Sequence, residues 1–545
     1  MSESKGGDLR VILADPLLPD GIETLRAAPG LAVEDHTESD REALRSALEG
    51  ASALIVRSRT KVTPDLIESA DRLRVVGRAG VGVDNIDIPA ATRRGIAVLN
   101  APAANTQSTA ELAFALLLAA ARRITEADAS IRAGEWRRKE LRGIQLSGKT
   151  LGVIGLGRIG AEVVWRARAF GMRVVAHDPF VSADRASDLG VELASLDELL
   201  PACHAITLHV PLSEENRGFI GRKELAAMRQ GSILVNAARG GLVDEAALAE
   251  ALGSGHLGAA GLDVFETEPL PADSPLRDAP QLVFSPHLGA STYEAQRQVS
   301  RQIAISVRDA LVDGDYSAAL NAPFEAEDRD GAGPIMDLGY RLGRLLAGLE
   351  DAPPSRIDVR YGGPRDGVLG PLAASVAVGF LERRVDPPLN VVNALSIAAE
   401  RGLEIVRVRT QAVGDYTNYV ELSAASGGAR GRGRSRGRRG MVVGGALMGS
   451  RMEPRIVRVG TFRIETEPRG TCLLIRNRDQ PGVIGAVGTV LGEANANIAE
   501  YHLARRKGGG QSFGVVRIDE ELPAATLREL EDLDGVEEVR QVNFD

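Results

Sequence analysis

A glycine-rich turn between a strand and a helix constrains the fold of this chain most. Gly155-Leu-Gly157-Arg-Ile-Gly160 directly follows the apolar run Leu151 to Ile154 and opens a predicted helix. In this context Gly155 permits a tight turn and Gly157 lets the backbone approach a pyrophosphate. Gly160 allows the helix to pack closely on the strand. The pattern therefore predicts a parallel α/β sheet that binds a dinucleotide.

An acidic residue specifies the nucleotide. Asp178 lies 18 residues past Gly160, at the end of the next predicted strand, Arg173 to Ala176. A carboxylate at this place accepts hydrogen bonds from both ribose hydroxyls and repels a 2′-phosphate, so the sequence predicts NAD rather than NADP. The alternative is that Asp178 only caps the turn before Pro179.

Two series of strands that alternate with helices indicate two such domains. The first series runs from Leu9 to about Gly95, and the second from Thr150 to Phe284. Strands separated by helices form parallel sheets with helices on both faces, so we predict two doubly wound, Rossmann-like α/β domains. The stretch Ser108 to Arg123 is rich in Ala and Leu and lacks Gly and Pro, which predicts a long helix joining the domains.

The C-terminal part differs in composition. At about 150 residues per domain, a chain of 545 residues has room for three or four domains. After Asn321 we predict an α+β domain ending at about Val459, then the ferredoxin-like order βαββαβ. The predicted boundaries are 8–104 with 293–323 for the first domain, 105–292 for the dinucleotide-binding domain, 324–459 for the third and 470–545 for the last.

Several classes of protein are excluded by composition. The longest uncharged apolar run, Leu112 to Ala121, is half of the roughly 20 residues that cross a bilayer, so we expect no membrane partner. The only cysteines, Cys203 and Cys472, form no metal-binding pattern, and we expect no metal. The N-terminus has no apolar core like that of a signal peptide, which predicts a cytoplasmic protein. The net charge of −9 argues against general nucleic-acid binding.

One basic segment stands apart from this acidic chain. Residues 427–440 contain six arginines among glycines and almost nothing that a core could bury. We predict a solvated, disordered loop with no function of its own. The alternative is a nucleic-acid handle, since closely spaced arginines bind phosphates, although the loop has no aromatic residues for base stacking.

Three polar residues follow predicted strands of the second domain and suggest chemistry. They are Arg239, Glu268 and His287. Because the carboxyl ends of parallel strands form the ligand crevice, the three side chains are expected to meet beside the nicotinamide. A histidine can accept a hydroxyl proton as hydride leaves, and a carboxylate bonded to it fixes its tautomer. An arginine can hold a substrate carboxylate.

Longer motifs carry a family resemblance. Val75 to Asn85, Val235 to Gly241, Gly261 to Pro269 and Ser285 to Thr292 resemble the D-isomer-specific 2-hydroxyacid dehydrogenase family over residues 9 to 323. The resemblance implies a catalytic triad of Arg239, Glu268 and His287, with Glu268 chosen over Glu266 because it directly precedes Pro269. It also implies NAD contacts at Gly155, Gly157, Arg158, Ile159, Gly160, Asp178, Val81, Val210, Ala237, Asp263, His287, Leu288, Gly289 and Ala290.

Basic residues of the first domain indicate the class of substrate, one that carries a phosphate group. Arg57-Ser58-Arg59 and Arg78 each end a predicted strand, so their side chains are expected to face the cleft between the domains. Arginine suits phosphate because its planar fork binds two oxygens at once. The resemblance adds Asn105 on a substrate-side loop. The predicted substrate-binding residues are Arg57, Ser58, Arg78, Asn105, Arg239 and His287. The alternative is that Arg57 and Arg78 pair with surface carboxylates.

The last domain resembles an ACT domain, a module that binds small regulatory ligands. With an intervening domain before it, the chain is similar to the long members of the family that oxidise 3-phospho-D-glycerate to 3-phosphooxypyruvate. The resemblance implies L-serine as a feedback inhibitor, bound between subunits at Asn477, Asp479 and Asn497, and hence a homotetramer. Asp479 would hold the ammonium group of the amino acid.

Two other functions remain open at this point. The same fold and triad would also serve a different D-2-hydroxyacid dehydrogenase, acting on hydroxypyruvate or 2-oxoglutarate. A non-catalytic, NAD-sensing corepressor of the same fold is the alternative from another class, with the basic segment as its nucleic-acid contact.

Overall fold

The structure is a computed structural model. It describes residues 9–324, 333–350, 353–365, 367–385, 389–411, 416–425, 440–506 and 510–544. The basic segment 427–440 lies outside these residues apart from Gly440.

The first domain is built on five parallel strands. Its strands are β1 (Leu9–Leu13), β2 (Leu31–Asp35), β3 (Ala53–Val56), β4 (Val75–Arg78) and β5 (Ala97–Leu99). The helices between them are α1 (Pro19–Arg26), α2 (Arg41–Ala47), α3 (Pro64–Ser69) and α4 (Ile88–Arg93). The sheet order is β2-β1-β3-β4-β5. All four residues of β3 are buried because helices cover both faces of the sheet.

The second domain contains a seven-stranded parallel sheet. Its strands are β6 (Thr150–Ile154), β7 (Arg173–His177), β8 (Glu192–Leu193), β9 (Ala205–Leu208), β10 (Ile233–Asn236), β11 (Ala259–Leu262) and β12 (Leu282–Phe284). Its helices are α5 (Thr106–Arg122), α6 (Ile124–Arg132), α7 (Arg158–Ala169), α8 (Ala183–Leu189), α9 (Leu196–Ala202), α10 (Arg222–Ala227) and α11 (Glu245–Gly253), with a 3-10 helix at Pro275–Asp278. The order β12-β11-β10-β9-β6-β7-β8 is doubly wound.

The chain crosses between these two domains twice. Helix α5 leads into the second domain and packs on α7, β10, β11 and β12. After β12 the long helix α12 (Tyr293–Val312) returns to the first domain and packs on α1 and β4. Val299, Ile303 and Val307 of α12 are buried in the first domain's core. The first domain is thus assembled from two separate chain segments.

The third domain has a mixed sheet covered by helices. Its helices are α13 (Gly333–Leu349), α14 (Leu369–Leu381) and α15 (Ala394–Glu400), and its strands are β13 (Arg356–Gly362), β14 (Glu404–Arg409), β15 (Tyr419–Ala425), β16 (Val442–Met448), β17 (Glu453–Val459) and β18 (Phe462–Thr466). The order is β14-β13-β15-β16-β17-β18. Only β13 and β14 pair in parallel among the described strands of this sheet.

The last domain has the predicted βαββαβ order. Its elements are β19 (Thr471–Arg478), α16 (Val483–Glu493), β20 (Ile498–Arg505), β21 (Gln511–Ile518), α17 (Ala524–Glu531) and β22 (Val536–Asn543). The antiparallel sheet runs β20-β21-β19-β22. The rings of Phe462 and Phe513 stack 5.5 Å apart, which joins the third and last domains in one apolar core.

The predicted fold class is confirmed, with two parallel α/β domains, an α+β domain and a ferredoxin-like domain. None of the helices in the described part of the chain is both long and apolar enough to cross a membrane. Within the same residues no group of three or more His, Cys, Asp or Glu side chains is arranged to hold a metal ion.

Candidate active site

A cavity of about 1220 Å³ lies where the carboxyl ends of the first two sheets face each other. Both domains contribute to its wall. The predicted site residues that line it are Arg57, Ser58, Arg78, Val81, Asn105, Ile159, Val210, Ala237, Arg239, Asp263, Glu268, His287, Gly289 and Ala290. The predicted residues outside the wall are Gly155, Gly157, Arg158, Gly160, Asp178 and Leu288.

The glycine-rich turn has the backbone that close phosphate approach requires. Gly155 has φ +95°, and a Cβ there would lie 2.5 Å from the carbonyl oxygen of His209. A Cβ on Gly160 would lie 2.0 Å from the Gly155 carbonyl oxygen, whereas one on Gly157 would meet no heavy atom within 4 Å. Helix α7 starts at Arg158 without a side-chain cap, so its first N–H groups are available to an anion. These residues fit a dinucleotide pyrophosphate.

Asp178 holds the same turn. Its Oδ2 accepts a hydrogen bond from the Leu156 backbone N–H at 2.8 Å, and its Oδ1 accepts one from the Phe180 backbone N–H at 2.9 Å. The carboxylate therefore caps turns, which was the alternative interpretation of its role. Each carboxylate oxygen has a further lone pair, so these bonds leave capacity for ribose hydroxyls.

Glu268 and His287 form the pair that the sequence predicts. Glu268 Oε2 lies 2.7 Å from His287 Nδ1, and Glu268 Oε1 accepts a hydrogen bond from the Phe265 backbone N–H at 3.1 Å. Glu266 instead lies 3.5 Å from Arg217. The imidazole is half exposed and lines the cavity, so its second nitrogen is accessible to a substrate.

Asp263 supports the loop that carries His287. Its carboxylate accepts hydrogen bonds from the Ser285 hydroxyl at 2.6 Å and from the backbone N–H groups of Leu288 and Gly289 at 2.7 and 2.9 Å. Burial raises the pKa of Asp263, while these hydrogen bonds favour its charged form. The hydroxyl of Ser108 donates to the Gly289 carbonyl oxygen at 2.6 Å. Sequence reasoning assigned no role to Ser108 or Ser285, because their hydrogen bonds join residues 181 and 22 positions apart in the chain.

Three arginines converge on the cavity. Burial, followed by repulsion from Arg239 and Arg57, lowers the pKa of Arg78 to about 10. Arg78 Nε is buried and has no hydrogen-bond partner among the described residues. Arg239 Nη1 donates to the Ala238 carbonyl oxygen at 2.7 Å, and Arg239 Nε lies 3.5 Å from Asp84 Oδ2. Such a concentration of positive charge suits an anionic substrate.

The expectation that Arg59 faces the cleft is wrong. Arg59 does not line the cavity, and its Nε donates to Asp15 Oδ1 at 3.0 Å. The Asp15 side chain is only 1% exposed, and a buried carboxylate needs a charged or hydrogen-bonding partner, which Arg59 supplies.

The three predicted regulatory residues do not meet within one chain. Asp479 follows the end of β19 and lies 2.8 Å from Arg505, whereas Asn497 precedes β20 and donates to Asp519 Oδ2 at 2.7 Å. Strand β20 runs parallel to β19 through their shared neighbour β21, so these two residues lie at opposite ends of the sheet. Asn477 is buried, and its Oδ1 has no partner among the described residues.

Comparison with known proteins places these features in a family. The chain is 39% identical to D-3-phosphoglycerate dehydrogenase of Archaeoglobus fulgidus over 97% of this chain and 98% of the relative. It is 42% identical to the enzyme of that name from Mycobacterium leprae over 89% of this chain and 90% of the relative. The chain belongs to the D-3-phosphoglycerate dehydrogenase family. This confirms the resemblance seen in the motifs.

Three family models match separate parts of this D-3-phosphoglycerate dehydrogenase family member, and these parts correspond to the second, third and last domains of the structure. They match the NAD binding domain of D-isomer specific 2-hydroxyacid dehydrogenases over residues 114–289, the D-3-phosphoglycerate dehydrogenase intervening domain over 332–459 and an ACT domain over 473–535. The solved TT0316 protein of Thermus thermophilus is 39% identical, with a TM-score of 0.53 over 57% of this chain and 99% of that protein. The first match, to an NAD binding domain, contains the glycine-rich turn together with Arg239, Glu268 and His287, and the cofactor is NAD.

Proposed function

We propose that this chain catalyses the NAD-dependent oxidation of 3-phospho-D-glycerate to 3-phosphooxypyruvate, the first step of L-serine biosynthesis. The names of its relatives support this activity. The observation that carries it is one cavity lined by the Glu268–His287 pair and by Arg57, Arg78 and Arg239. The cavity therefore contains a proton acceptor, the imidazole of His287, and three arginines whose positive charge suits a substrate with both a carboxylate and a phosphate.

His287 is the proposed base. With Nδ1–H donating to Glu268, Nε2 is left as the acceptor for the C2 hydroxyl proton of the substrate. Glu268 stabilises the imidazolium that results. Bound NAD supplies the acceptor for the C2 hydride. In the reverse reaction the imidazolium returns its proton to the carbonyl oxygen.

In this proposal the arginines of each domain bind one of the two anionic groups of the substrate. We assign the carboxylate to Arg239, which lies with His287 on the NAD-binding side. Arg57 and Ser58 follow strand β3 of the opposite sheet and Arg78 is the last residue of β4, and we assign the phosphate to these three residues. Asn105 lines the cavity beside the start of α5 and is a further substrate contact in this proposal.

The first experiment is NADH oxidation by the purified protein with 3-phosphooxypyruvate, beside equal concentrations of hydroxypyruvate and 2-oxoglutarate. A strong preference for 3-phosphooxypyruvate is expected. Equal rates with the unphosphorylated acids would instead indicate a general 2-hydroxyacid dehydrogenase. No turnover with any of them would favour the NAD-sensing alternative.

We also propose that L-serine inhibits the enzyme at a site shared by two ACT domains. The separation of Asp479 and Asn497 within one chain supports a shared site, since a second copy would be needed to bring them together. A site shared by two copies requires at least a dimer, and we propose the homotetramer that the family resemblance implies. Light scattering of the purified protein with and without L-serine tests it. The cytoplasmic location stays a prediction.

A further inference from the structure

The loop that carries Arg57 and Ser58 is held from below by a buried carboxylate that does not itself line the cavity. Asp15 follows β1, and the loop follows the neighbouring strand β3. Asp15 Oδ2 accepts hydrogen bonds from the backbone N–H groups of Arg57 at 2.6 Å and Thr60 at 3.2 Å. Asp15 Oδ1 accepts from Arg59 Nε and from the Thr60 hydroxyl, each at 3.0 Å.

A second residue holds the same loop through its carbonyl groups. Asn85 Nδ2 donates to the carbonyl oxygens of Arg57 at 2.7 Å and Thr60 at 2.6 Å. The Asn85 backbone carbonyl accepts from the Val62 N–H at 2.8 Å. The backbone of the loop is therefore fixed on its N–H side by Asp15 and on its carbonyl side by Asn85.

The cavity needs such a support because its charges repel one another. Burial most of all, and then the charges of Arg239 and Arg57, lower the pKa of Arg78, so the guanidinium groups of Arg239 and Arg57 repel that of Arg78. A flexible loop would let Arg57 move away into solvent. The four hydrogen bonds to Asp15 oppose that movement, and Arg59 balances the charge of the buried carboxylate.

We propose that Asp15 and Asn85 are positioning residues that fix Arg57 and Ser58 for the phosphate group of the substrate. This inference rests on the proposed function and deepens it, because it assigns the preference for a phosphorylated acid to two residues that hold the backbone of the binding loop, Asp15 outside the cavity wall and Asn85 within it. Neither residue takes part in proton or hydride transfer.

Asp15→Asn tests the proposal most directly. The amide replaces one acceptor oxygen with a donor NH₂ group, which then faces the donors of the loop. We expect KM for 3-phosphooxypyruvate to rise about tenfold, while kcat, KM for NADH and kcat/KM for hydroxypyruvate change less than about twofold. Equal losses with both acids, or no loss with either, would overturn the proposal.

A double variant separates positioning from a general loss of structure. If Asp15 acts through the Arg57 side chain, Asp15→Asn should add less than about twofold to KM in an Arg57→Ala background. The matched control is Asp71→Asn, which removes a carboxylate of the same domain that accepts from the Gly50 N–H at 2.9 Å. The control should retain the parent's KM values.

Hydrogen exchange of the full chain gives a readout that does not depend on the substrate. In Asp15→Asn the amides of a peptide spanning residues 54–62 should exchange faster than in the parent, with the other peptides of the first domain unchanged. Unchanged exchange in that peptide would overturn the inference even if the proposed activity holds. If exchange is faster in Asp15→Asn but the parent enzyme shows no preference for 3-phosphooxypyruvate, the assignment of this loop to the phosphate group would be wrong. The conclusion that Asp15 holds the loop would still stand.

Thr60→Val is the second variant in case Asp15→Asn does not fold. It removes the hydroxyl donor to Asp15 Oδ1 and keeps the backbone N–H. KM for 3-phosphooxypyruvate should rise about two- to threefold, in the same direction as for Asp15→Asn. A Thr60→Val enzyme with the parent's KM and exchange pattern would contradict the proposal.

Discussion

Glu268 Oε2 and His287 Nδ1 lie 2.7 Å apart and join the loops that follow β11 and β12. The same glutamate accepts a hydrogen bond from the Phe265 N–H through its other oxygen. One oxygen of Glu268 therefore fixes the carboxylate to the backbone, and the other orients the imidazole. The imidazole presents its second nitrogen to the cavity.

Replacing Glu268 by glutamine should slow hydride transfer. A hydrogen bond to a charged group contributes about 1.5–3 kcal/mol, so kcat of Glu268→Gln should fall roughly 10- to 150-fold while KM for NADH is retained. Stopped-flow NADH oxidation measures this. Glu266→Gln is the matched control, since Glu266 faces Arg217 and not His287. A comparable loss in Glu266→Gln would contradict the assignment.

We expect Arg78 to lower the free energy of unfolding of the protein while it contributes to substrate binding. Because burial and two neighbouring arginines lower its pKa to about 10, the charged guanidinium is less favourable in the folded than in the unfolded state at pH 7. Arg78→Met should therefore increase the free energy of unfolding by about 1–3 kcal/mol. It should also raise KM for 3-phosphooxypyruvate at least about tenfold.

Urea unfolding and steady-state kinetics check both halves of this prediction. Arg74→Met, an exposed arginine just before β4, serves as the control and should alter neither quantity. Loss of stability without a change in KM would show that Arg78 is structural.

His209 predicts how stability depends on pH. Its Nδ1 is enclosed and has no hydrogen-bond partner among the described residues, and burial lowers the pKa of His209 from 6.5 to about 4. The unfolded chain thus binds the proton more readily, so this contribution to stability is present above pH 6.5 and is lost as the pH falls towards 4. The loss should reach roughly 3 kcal/mol at most.

The measurement compares urea unfolding of the parent and His209→Gln between pH 5 and 8. The free energy of unfolding of the parent should fall relative to that of His209→Gln as the pH falls. The reason is that the variant lacks the titrating ring. His36→Gln, which replaces a histidine of the first domain, is the control for the introduction of a glutamine. A pH-independent difference for His209→Gln would argue against the enclosed, neutral imidazole.

Asp479 tests regulation apart from catalysis. Asp479→Asn should abolish inhibition by L-serine and leave kcat and KM near those of the parent, because the residue lies in the ACT domain beside Arg505. Asp534→Asn removes a carboxylate of the same domain that pairs with Arg478 and should keep the inhibition. Inhibition curves for the three proteins decide this, and a response retained by Asp479→Asn would place any serine site elsewhere.

Local patterns were enough to predict most elements of the first two domains. The apolar runs at β6 and β9 and the glycine turn depend on neighbours in sequence, so strand ends and the residues after them could be predicted. The same reasoning selected His287 and Glu268, because polar residues after parallel strands share one edge of the sheet. Applied to β1 and β9, it would also have drawn attention to Asp15 and His209.

The orientation of Arg59 could not be obtained in this way. Alternation along an extended segment gives no information about a buried carboxylate 44 residues earlier in the chain, and Asp15 attracts the Arg59 guanidinium away from the cavity. Likewise, Asn85 contacts the loop from 25 and 28 positions away, and only the folded arrangement of β3 and β4 brings these residues together.

The return of α12 to the first domain sets the order in which a nascent chain can complete its folds. Strands β1 to β5 leave the ribosome first, but the apolar face covered by Val299, Ile303 and Val307 stays open until the residues of α12 have been made. At about 5–20 residues per second, that interval lasts roughly 10–40 s. The NAD-binding sheet ends at Phe284 and can close its own core during that time. The domain translated first is therefore completed second, and its exposed face is the surface that a chaperone acting during translation would encounter.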